Sequence, residues 1–258
     1  MAYRFAAITG ATSGIGEAFA RLLPETTALL LSGRDGAKLA ATKAALEARG
    51  RRVETLVADL ASEAGRQAFI AAAVALPIDL LVNNAGLGHF GRAVDNPAER
   101  EREMAEVNVV AVVALTRALL PGMLARAAAQ RRRAGLIIVA STAAFQPLPY
   151  FATYAATKTF DLHYAEALAG ELRKAPVDVL ALCPGATATA FFARAAIRGS
   201  FGPMAAPERV AREGLAALGR RPVHVVGAAN RLGAFLAQRA PRDLVVRAAT
   251  LLMRRHAR

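Results

Sequence analysis

The sequence TGATSGIG at residues 9–16 joins an apolar strand-like segment to a helical one, which indicates a fold built from alternating strands and helices. Its glycines, Gly10, Gly14 and Gly16, allow a tight turn and a close approach of the backbone to a ligand. The helix that follows would offer free N–H groups and a positive end to a pyrophosphate. The order G-x-x-x-G-x-G differs from the usual dinucleotide fingerprint, so a purely steric strand-to-helix turn is the alternative.

Strand-like and helix-like segments alternate about seven times along the rest of the chain. The strand-like segments are uniformly apolar, which indicates a parallel sheet covered by helices on both faces. We therefore predict an α/β fold with three layers, a doubly wound sheet between two layers of helices. The predicted strands are RFAAITG, TALLLSG, RVETLVADL, IDLLVNNAG, GLIIVAS, VDVLALCPG and RPVHVVG.

No break in composition divides the chain, so we expect residues 1–258 to form a single domain. Residues 189–207 read as an irregular insertion, and residues 228–258 read as a basic, amphipathic helical tail. No apolar run looks long enough to cross a bilayer, since the longest is interrupted by Thr116 and Arg117.

The composition also limits the function. Hydrophobic residues make up 55% of the chain, which excludes a disordered protein. The one cysteine, Cys183, cannot form a disulfide within the chain, and the N-terminus lacks the apolar core of a signal peptide. Both features predict a cytoplasmic location.

The net charge of +13 is concentrated in the second half of the chain. Residues 1–120 carry 13 basic and 13 acidic side chains, whereas residues 121–258 carry 20 and 7. Because 29 of the 33 basic residues are Arg, a compositional bias is the favoured interpretation. An anionic partner is the alternative: a phosphorylated cofactor, an acidic carrier protein or a membrane surface. Nucleic acid is not expected, because stacking aromatics are not interleaved with the basic residues.

Polar residues follow the predicted strands where they end, which is where doubly wound sheets bind ligands. After the second strand, Arg34 stands near the place of the acid that commonly holds a ribose 2′-hydroxyl, which favours a 2′-phosphate instead. Asp35 is interpreted as the N-cap of the next helix, with a ribose ligand as the alternative. Asp59 ends the third strand, where its carboxylate could accept a hydrogen bond from an adenine amino group.

A tyrosine and a lysine lie one helical turn apart after the fifth strand. That strand ends at Ser141, and Tyr154 follows thirteen residues later, with Lys158 on the same helix face. A phenol beside an ammonium is either a solvated surface pair or an acid with a tuned pKa. Its position after a strand end favours the acid. Other strand ends contribute NNAG at residues 83–86 and CPGATAT at residues 183–189.

Together these motifs resemble the short-chain dehydrogenase/reductase family, in its single-domain branch with TGxxxGxG and YxxxK motifs. The matching features run from residue 3 to about residue 227, in the family's order: TGATSGIG, Asp59, NNAG, Asn108, Ser141, YAATK and PGATAT. The resemblance implies a Rossmann-type fold with a seven-stranded parallel sheet. It also implies an NAD(P)-dependent oxidoreductase that interconverts a carbonyl and an alcohol, without a metal, and a homodimer or homotetramer.

The resemblance implies a catalytic role for four residues. Tyr154 would be the general acid or base, and Lys158 would hold the nicotinamide ribose and lower the pKa of Tyr154. Ser141 would orient the carbonyl, and Asn108 would keep a water in a proton relay to Lys158. Physical chemistry agrees, because a phenol needs nearby positive charge to become a base near neutral pH.

The resemblance also implies a cofactor site in which NADP(H) is favoured over NAD(H). The preference follows from Arg34, although Ser13 stands where some NADP-preferring members have a second basic residue. The implied cofactor-binding residues are Gly10, Thr12, Ser13, Gly14, Ile15, Gly16, Arg34, Asp59, Leu60, Asn84, Ala85, Gly86, Tyr154, Lys158, Pro184, Gly185, Thr187 and Thr189.

Apolar side chains near the expected pocket predict a lipophilic ketone or aldehyde, with ordinary core packing as the alternative. They are Phe145, Leu148, Tyr150, Phe151, Phe191, Phe192, Phe201 and Met204. His89 could edge this pocket or be a loop residue.

Two helices split at Pro241 are expected in the tail. A stripe of Leu244, Val245, Ala248, Leu251 and Leu252 is expected to pack on the body or on a neighbouring subunit. Contact of this stripe with a membrane surface is the less favoured interpretation.

Two other functions stay open. One is a 3-ketoacyl thioester reductase whose basic half docks an acidic carrier protein. The other is a non-catalytic NADP(H) sensor, which the joint presence of Ser141, Tyr154 and Lys158 disfavours because a sensor has no use for an acid.

Overall fold

The computed structural model describes residues 3–197 and 204–256, so predicted pocket residue Phe201 lies outside the described residues. The described residues form a seven-stranded parallel sheet in the order β3-β2-β1-β4-β5-β6-β7. The predicted fold class is confirmed. The strands are β1 (Phe5–Thr9), β2 (Ala28–Gly33), β3 (Val53–Val57), β4 (Leu80–Asn83), β5 (Ala134–Val139), β6 (Val177–Cys183) and β7 (Val223–Val225).

Helices connect the strands and cover both faces of the sheet. A π-helical turn, Glu106–Val110, joins α4 to α5, and a 3-10 turn, Thr142–Phe145, follows β5. The helices are α1 (Gly14–Leu22), α2 (Gly36–Glu47), α3 (Glu63–Val74), α4 (Ala98–Ala105), α5 (Ala111–Ala129), α6 (Ala152–Glu171), α7 (Phe191–Arg194), α8 (Pro207–Ala217), α9 (Ala228–Arg239) and α10 (Arg242–Arg254).

Two hydrophobic clusters lie on opposite faces of the sheet and explain why the central strands have no polar side. Helices α3, α5 and α6 supply one cluster, and helices α1, α2 and α8 supply the other. Every residue of β1, β4, β5 and β6 is buried. Burial of these apolar surfaces is the main favourable contribution to folding.

The strand order reverses between β1 and β4, which are neighbours in the sheet. The chain leaves β1 toward one side and β4 toward the other, so a crevice opens between the two following loops. The TGATSGIG stretch and NNAG therefore face each other across this crevice.

One continuous helical segment, Ala98–Ala129, is long and apolar enough by length and composition to cross a membrane, against the expectation from sequence. Half of its most apolar window is buried. Leu115, Leu119 and Met123 of this segment lie in the core beside the sheet. This burial is the ordinary environment of a core helix.

The tail forms two helices on either side of Pro241, as predicted, but its packing differs from the prediction. Helix α10 buries Ala249 and Met253, whereas Leu244, Leu251 and Leu252 are exposed. The expected stripe therefore does not pack on the body of this chain, and its packing on a neighbouring subunit stays a prediction. Ala249 and Met253, which are not part of the predicted stripe, face the body of the chain instead.

Candidate active site

A cavity of about 1020 Å³ opens at the carboxyl edge of the sheet, above the point where the strand order reverses. The loops after β1, β2, β3, β4, β5 and β6 all contribute to its lining. Of the residues predicted to form the site, all except Gly16 and Asn108 line this cavity. The topology thus collects side chains from distant parts of the chain at one edge.

The glycine loop between β1 and α1 has the geometry that a phosphate site requires. Gly10 and Gly14 have φ angles of +66° and +61°, a backbone conformation that residues with a side chain rarely adopt. The Ser13 side chain makes no capping hydrogen bond at the start of α1. The first N–H groups of α1 consequently remain available to an anion, and the loop fits the pyrophosphate of a dinucleotide.

Gly16 was predicted to contact the cofactor, but it is buried beneath the loop instead of lining the cavity. A Cβ atom at this position would lie 2.4 Å from the carbonyl oxygen of Gly10 and 2.5 Å from Nδ2 of Asn84. Gly16 is therefore required for close packing of α1 against its own loop.

Asn84 joins the two loops that flank the crevice. Its Nδ2 donates to the carbonyl oxygens of Thr9 at 2.8 Å and Gly10 at 3.1 Å. In return, Oγ1 of Thr9 accepts hydrogen bonds from the N–H groups of Asn84 and Ala85, each at 3.0 Å. The Asn84 side chain thus fixes the glycine loop, while Ala85 and Gly86 line the cavity beside it.

At the end of β2, Arg34 and Asp35 have different roles. The Asp35 carboxylate accepts a hydrogen bond from the N–H of Lys38 at 3.0 Å, so the predicted N-cap is confirmed. This backbone hydrogen bond and the Lys38 side chain lower the pKa of Asp35. Arg34 is exposed at the cavity and makes no hydrogen bond or ion pair with another described residue. Its guanidinium is the group left available to a ligand.

Arg194 also reaches the cofactor side of the cavity, which sequence reasoning missed. One of its terminal nitrogens donates to Oγ of Ser13 at 3.0 Å, across 181 residues of sequence. The insertion brings it there, because a β-bridge between Thr187 and Ala205 closes the base of this segment. Arg194 therefore places a basic group beside Ser13, the position at which some NADP-preferring family members have a basic residue of their own.

Tyr154, Ser141 and Lys158 meet at the inner end of the cavity. Tyr154 and Lys158 are buried, and Ser141 lies beside Tyr154 in the cavity lining. Burial raises the pKa of Tyr154, although the Lys158 ammonium and the Ser141 side chain both oppose that rise. Lys158 lowers the pKa of Tyr154, as predicted. Burial has the larger effect, so the pKa of Tyr154 is above its usual value.

Asp161 is a second residue that sequence reasoning missed. Its Oδ2 lies 2.9 Å from Nζ of Lys158, and both side chains are buried. Burial by itself lowers the pKa of Lys158, but Asp161 and Tyr154 outweigh burial and raise it. The lysine consequently keeps its charge at neutral pH. In the sequence, Asp161 follows Lys158 by three residues. This spacing is common in ion pairs on exposed helices, so it did not predict a buried pair.

Asn108 lies in the π-helical turn, buried behind the cavity. Its Nδ2 donates to the Leu87 carbonyl oxygen and to Oγ1 of Thr157, each at 2.9 Å, and its Oδ1 accepts from the Leu87 N–H at 2.8 Å. Both amide hydrogens are thus used within the protein. The side chain positions the loop after β4. The predicted role of Asn108 in a water relay stays a prediction.

An aromatic wall lines the cavity around Tyr154. The Phe151 ring stacks on the Tyr154 ring at a centroid distance of 4.2 Å, and the Phe191 ring lies 5.3 Å from Tyr154. Among the predicted pocket residues that are described, Leu148, Phe151, Phe191, Phe192 and Met204 line the cavity.

Three other predicted pocket residues lie elsewhere. Phe145 packs against the core, Tyr150 stacks on Phe90, and His89 is absent from the described cavity lining. Leu252 and Met253 of α10 line the cavity, although no sequence pattern connected the tail to the site.

The arrangement of a glycine loop, a Ser–Tyr–Lys cluster and a parallel sheet matches one protein family. A family model described as short chain dehydrogenase matches residues 4–197. The chain belongs to the short-chain dehydrogenase/reductase family. As a family member it is an oxidoreductase that acts on CH–OH or carbonyl groups.

Known family members resemble this dehydrogenase/reductase along most of its length. The Bos taurus dehydrogenase/reductase SDR family member 4 is 34% identical over 192 residues, covering 73% of this chain and 67% of the relative. The structure of a Sphingobium yanoikuyae short-chain dehydrogenase in complex with NADPH superposes with a TM-score of 0.80 and 29% identity, covering 90% of this chain and 91% of the other.

A third similar protein is the 3-ketoacyl-(acyl-carrier-protein) reductase of Brucella melitensis, solved with NADH. Its TM-score is 0.74 at 29% identity, covering 86% of this dehydrogenase/reductase and 95% of the other chain. Relatives thus bind the phosphorylated or the unphosphorylated nicotinamide cofactor. A nicotinamide cofactor fits the cavity described above, whereas no cluster of metal-ligating side chains occurs among residues 3–197 and 204–256.

Proposed function

We propose that this chain is an NADP(H)-dependent oxidoreductase that interconverts a lipophilic carbonyl compound and its alcohol. The observation that carries the proposal is the position of Tyr154, which is buried beside Lys158 and lines the inner end of the cavity together with Ser141. The glycine loop that fits a pyrophosphate lines the same cavity.

In the proposed reduction, Tyr154 donates its proton to the carbonyl oxygen of the substrate, and Ser141 orients that oxygen by a hydrogen bond. When bound, the nicotinamide cofactor supplies the hydride. The raised pKa of Tyr154 keeps the phenol protonated at neutral pH, which is the state that a general acid needs. Lys158 holds a ribose hydroxyl and carries positive charge beside the phenol. In the oxidation, the phenolate form of Tyr154 accepts the proton of the alcohol and the phenol is restored.

A preference for NADP(H) is part of the proposal. Arg34 stands at the cavity without a partner among the described residues, and Asp35 is occupied as a helix cap. Arg194 places a second guanidinium against Ser13. Two guanidinium groups near the end of β2 and the glycine loop suit a 2′-phosphate, which binds through charge-assisted hydrogen bonds.

The lipophilic character of the substrate is supported by the wall around Tyr154. Two phenylalanine rings contact the tyrosine, and further apolar side chains come from the insertion and from α10. Such a wall favours a substrate whose polar group is the carbonyl alone.

The experiment that tests the proposal is NADPH oxidation by the purified chain with aliphatic ketones and aldehydes of increasing length. We expect turnover that improves with chain length and a lower KM for NADPH than for NADH. Tight NADPH binding without turnover of any carbonyl would favour a sensor instead.

A 3-ketoacyl thioester reductase is the second candidate. The excess of basic residues in the second half of the chain and the similarity to the Brucella melitensis reductase favour it. Activity on carrier-linked ketoacyl groups should then fall steeply as salt rises, while activity on free ketones should change little. Assembly into a homodimer or homotetramer and a cytoplasmic location stay predictions.

A further inference from the structure

A buried carboxylate stands behind the proposed catalytic lysine. Asp161 is 1% exposed, lies one helical turn beyond Lys158 on α6, and contacts Nζ of Lys158 at 2.9 Å. Its other oxygen, Oδ1, is buried and has no hydrogen-bond partner among the described residues. Lys158 is thus the one described group that compensates this carboxylate, and a buried charge without a partner is costly.

The contact fixes the direction of the lysine side chain. Nζ of Lys158 also donates to the carbonyl oxygen of Val139 at 2.9 Å. An ammonium has three hydrogens, so two are held inside the protein and one remains for the cavity that Lys158 lines. Asp161 and Val139 therefore orient the lysine from behind before any ligand arrives.

The carboxylate also changes the electrostatics at the phenol. The titratable groups that face Lys158 are Tyr154 and Asp161 on α6 and Cys183 on β6. Burial, with a contribution from Glu166, raises the pKa of the Cys183 thiol to about 12, so this thiol is neutral. Burial raises the pKa of Asp161, and the Lys158 ammonium opposes that rise. The 2.9 Å contact with this ammonium favours the carboxylate form of Asp161. In that form Asp161 offsets the charge of Lys158 and opposes ionisation of Tyr154.

We propose that Asp161 is a positioning residue that anchors Lys158 and keeps Tyr154 protonated, which poises the enzyme for carbonyl reduction. The proposal rests on the function proposed above, since it assigns Tyr154 as the acid. It predicts a specific consequence of neutralising Asp161. Without the carboxylate, the ammonium of Lys158 would favour the phenolate, so Tyr154 would lose its proton at a lower pH than in the wild type.

The test follows Tyr154 directly by NMR in protein labelled with carbon-13 at the tyrosine ζ carbon. The chain has four tyrosines, so few signals need assignment, and Tyr154→Phe identifies the signal of Tyr154. In Asp161→Asn, the Tyr154 signal should titrate at lower pH than in the wild type. An unchanged or higher titration point would overturn the proposal.

Asp178→Asn is the matched control. Asp178 is also a buried carboxylate, with one cationic partner, Arg133 at 2.8 Å, and one unpaired oxygen. It acts on Tyr3 and not on Tyr154. This variant should leave the Tyr154 titration in place, whereas an equal shift in both variants would mean a general loss of packing and would contradict the proposal.

Kinetics provide a second measurement. For ketone reduction, the alkaline limb of the kcat profile should move to lower pH in Asp161→Asn, with a loss of roughly tenfold at a pH on that limb. Asp161→Glu, which keeps the charge, should restore most of the wild-type profile. If Asp161→Asn does not fold, Asp161→Thr replaces it in both measurements, with the same expected direction. Retained turnover in Tyr154→Phe would refute the proposed function itself, whereas an unmoved NMR titration would refute only the role of Asp161.

Discussion

The two halves of the cavity are built in different ways. The cofactor half consists of residues that end neighbouring parallel strands, so the sheet itself fixes the positions of Gly10, Arg34 and Asn84. The other half, proposed to hold the substrate, is assembled from the segment before α6, the insertion and α10, which reach the cavity from outside the sheet. The sheet thus fixes the residues at the strand ends, whereas segments outside the sheet set the shape of the rest of the cavity.

Apart from loss of the acid itself, the largest effect is expected where the two halves meet. Ser141→Ala should lower kcat for ketone reduction roughly a hundredfold, because the hydroxyl proposed to orient the carbonyl beside Tyr154 is removed. Thr142→Ala is the matched control, since Thr142 is the next residue and also lines the cavity. Equal losses in both variants would mean that Ser141 has no specific role.

A smaller and more selective effect is expected in the cofactor half. Arg34→Ser should raise the Kd for NADPH by roughly tenfold or more, because a charge-assisted contact with the 2′-phosphate is lost. The Kd for NADH should stay unchanged. Fluorescence titration with both cofactors measures the two constants, and Arg194→Ala should show a weaker effect of the same kind. A parallel loss of NADH affinity would point to the pyrophosphate and not to the 2′-phosphate.

The stability of the cofactor half depends on a glycine that is not among the described cavity-lining residues. Gly16→Ala should lower the free energy of unfolding by about 1–3 kcal/mol, because the new Cβ would overlap the Gly10 carbonyl oxygen. Gly170→Ala is the control in a helix: its Cβ meets nothing within 4 Å, and Ala has the higher helix propensity. Urea denaturation of both variants should give changes of opposite sign, and a neutral Gly16→Ala would contradict the packing argument.

The smallest effect is expected at the tail. Leu252→Ala should raise KM for long aliphatic ketones several-fold and leave KM for NADPH alone, since Leu252 lines the cavity. Leu251→Ala changes the neighbouring residue, which is 66% exposed and is not among the described lining residues. If neither variant changes KM, α10 does not form part of the substrate site.

The difference between the halves also explains what the sequence could predict. The ends of the strands can be predicted from the sequence, because each uniform apolar run stops at polar residues. The parallel sheet then brings Asp59, NNAG and Ser141 to one edge. A helical turn places Tyr154 and Lys158 on one face in any context. These rules are local, so the fold class and most of the cofactor half followed from them.

The features that sequence reasoning missed depend on packing between distant segments. Arg194 meets Ser13 across 181 residues, and no periodicity encodes that contact. Asp161 is spaced from Lys158 like a surface ion pair, and only its burial reveals a different role. The tail stripe does not pack on the body, which buries Ala249 and Met253 instead. Packing of the stripe on a neighbouring subunit stays a prediction.

The most direct test of the central claim compares NADPH binding and turnover in Tyr154→Phe with the wild type. A phenylalanine keeps the stacked ring but lacks the proton that the proposed mechanism transfers. We predict that turnover of an aliphatic ketone falls by roughly a thousandfold, within the usual range for loss of a general acid, while the Kd for NADPH stays close to the wild-type value. Turnover near the wild-type rate, or an equal loss of NADPH binding, would contradict the assignment of Tyr154 as the acid.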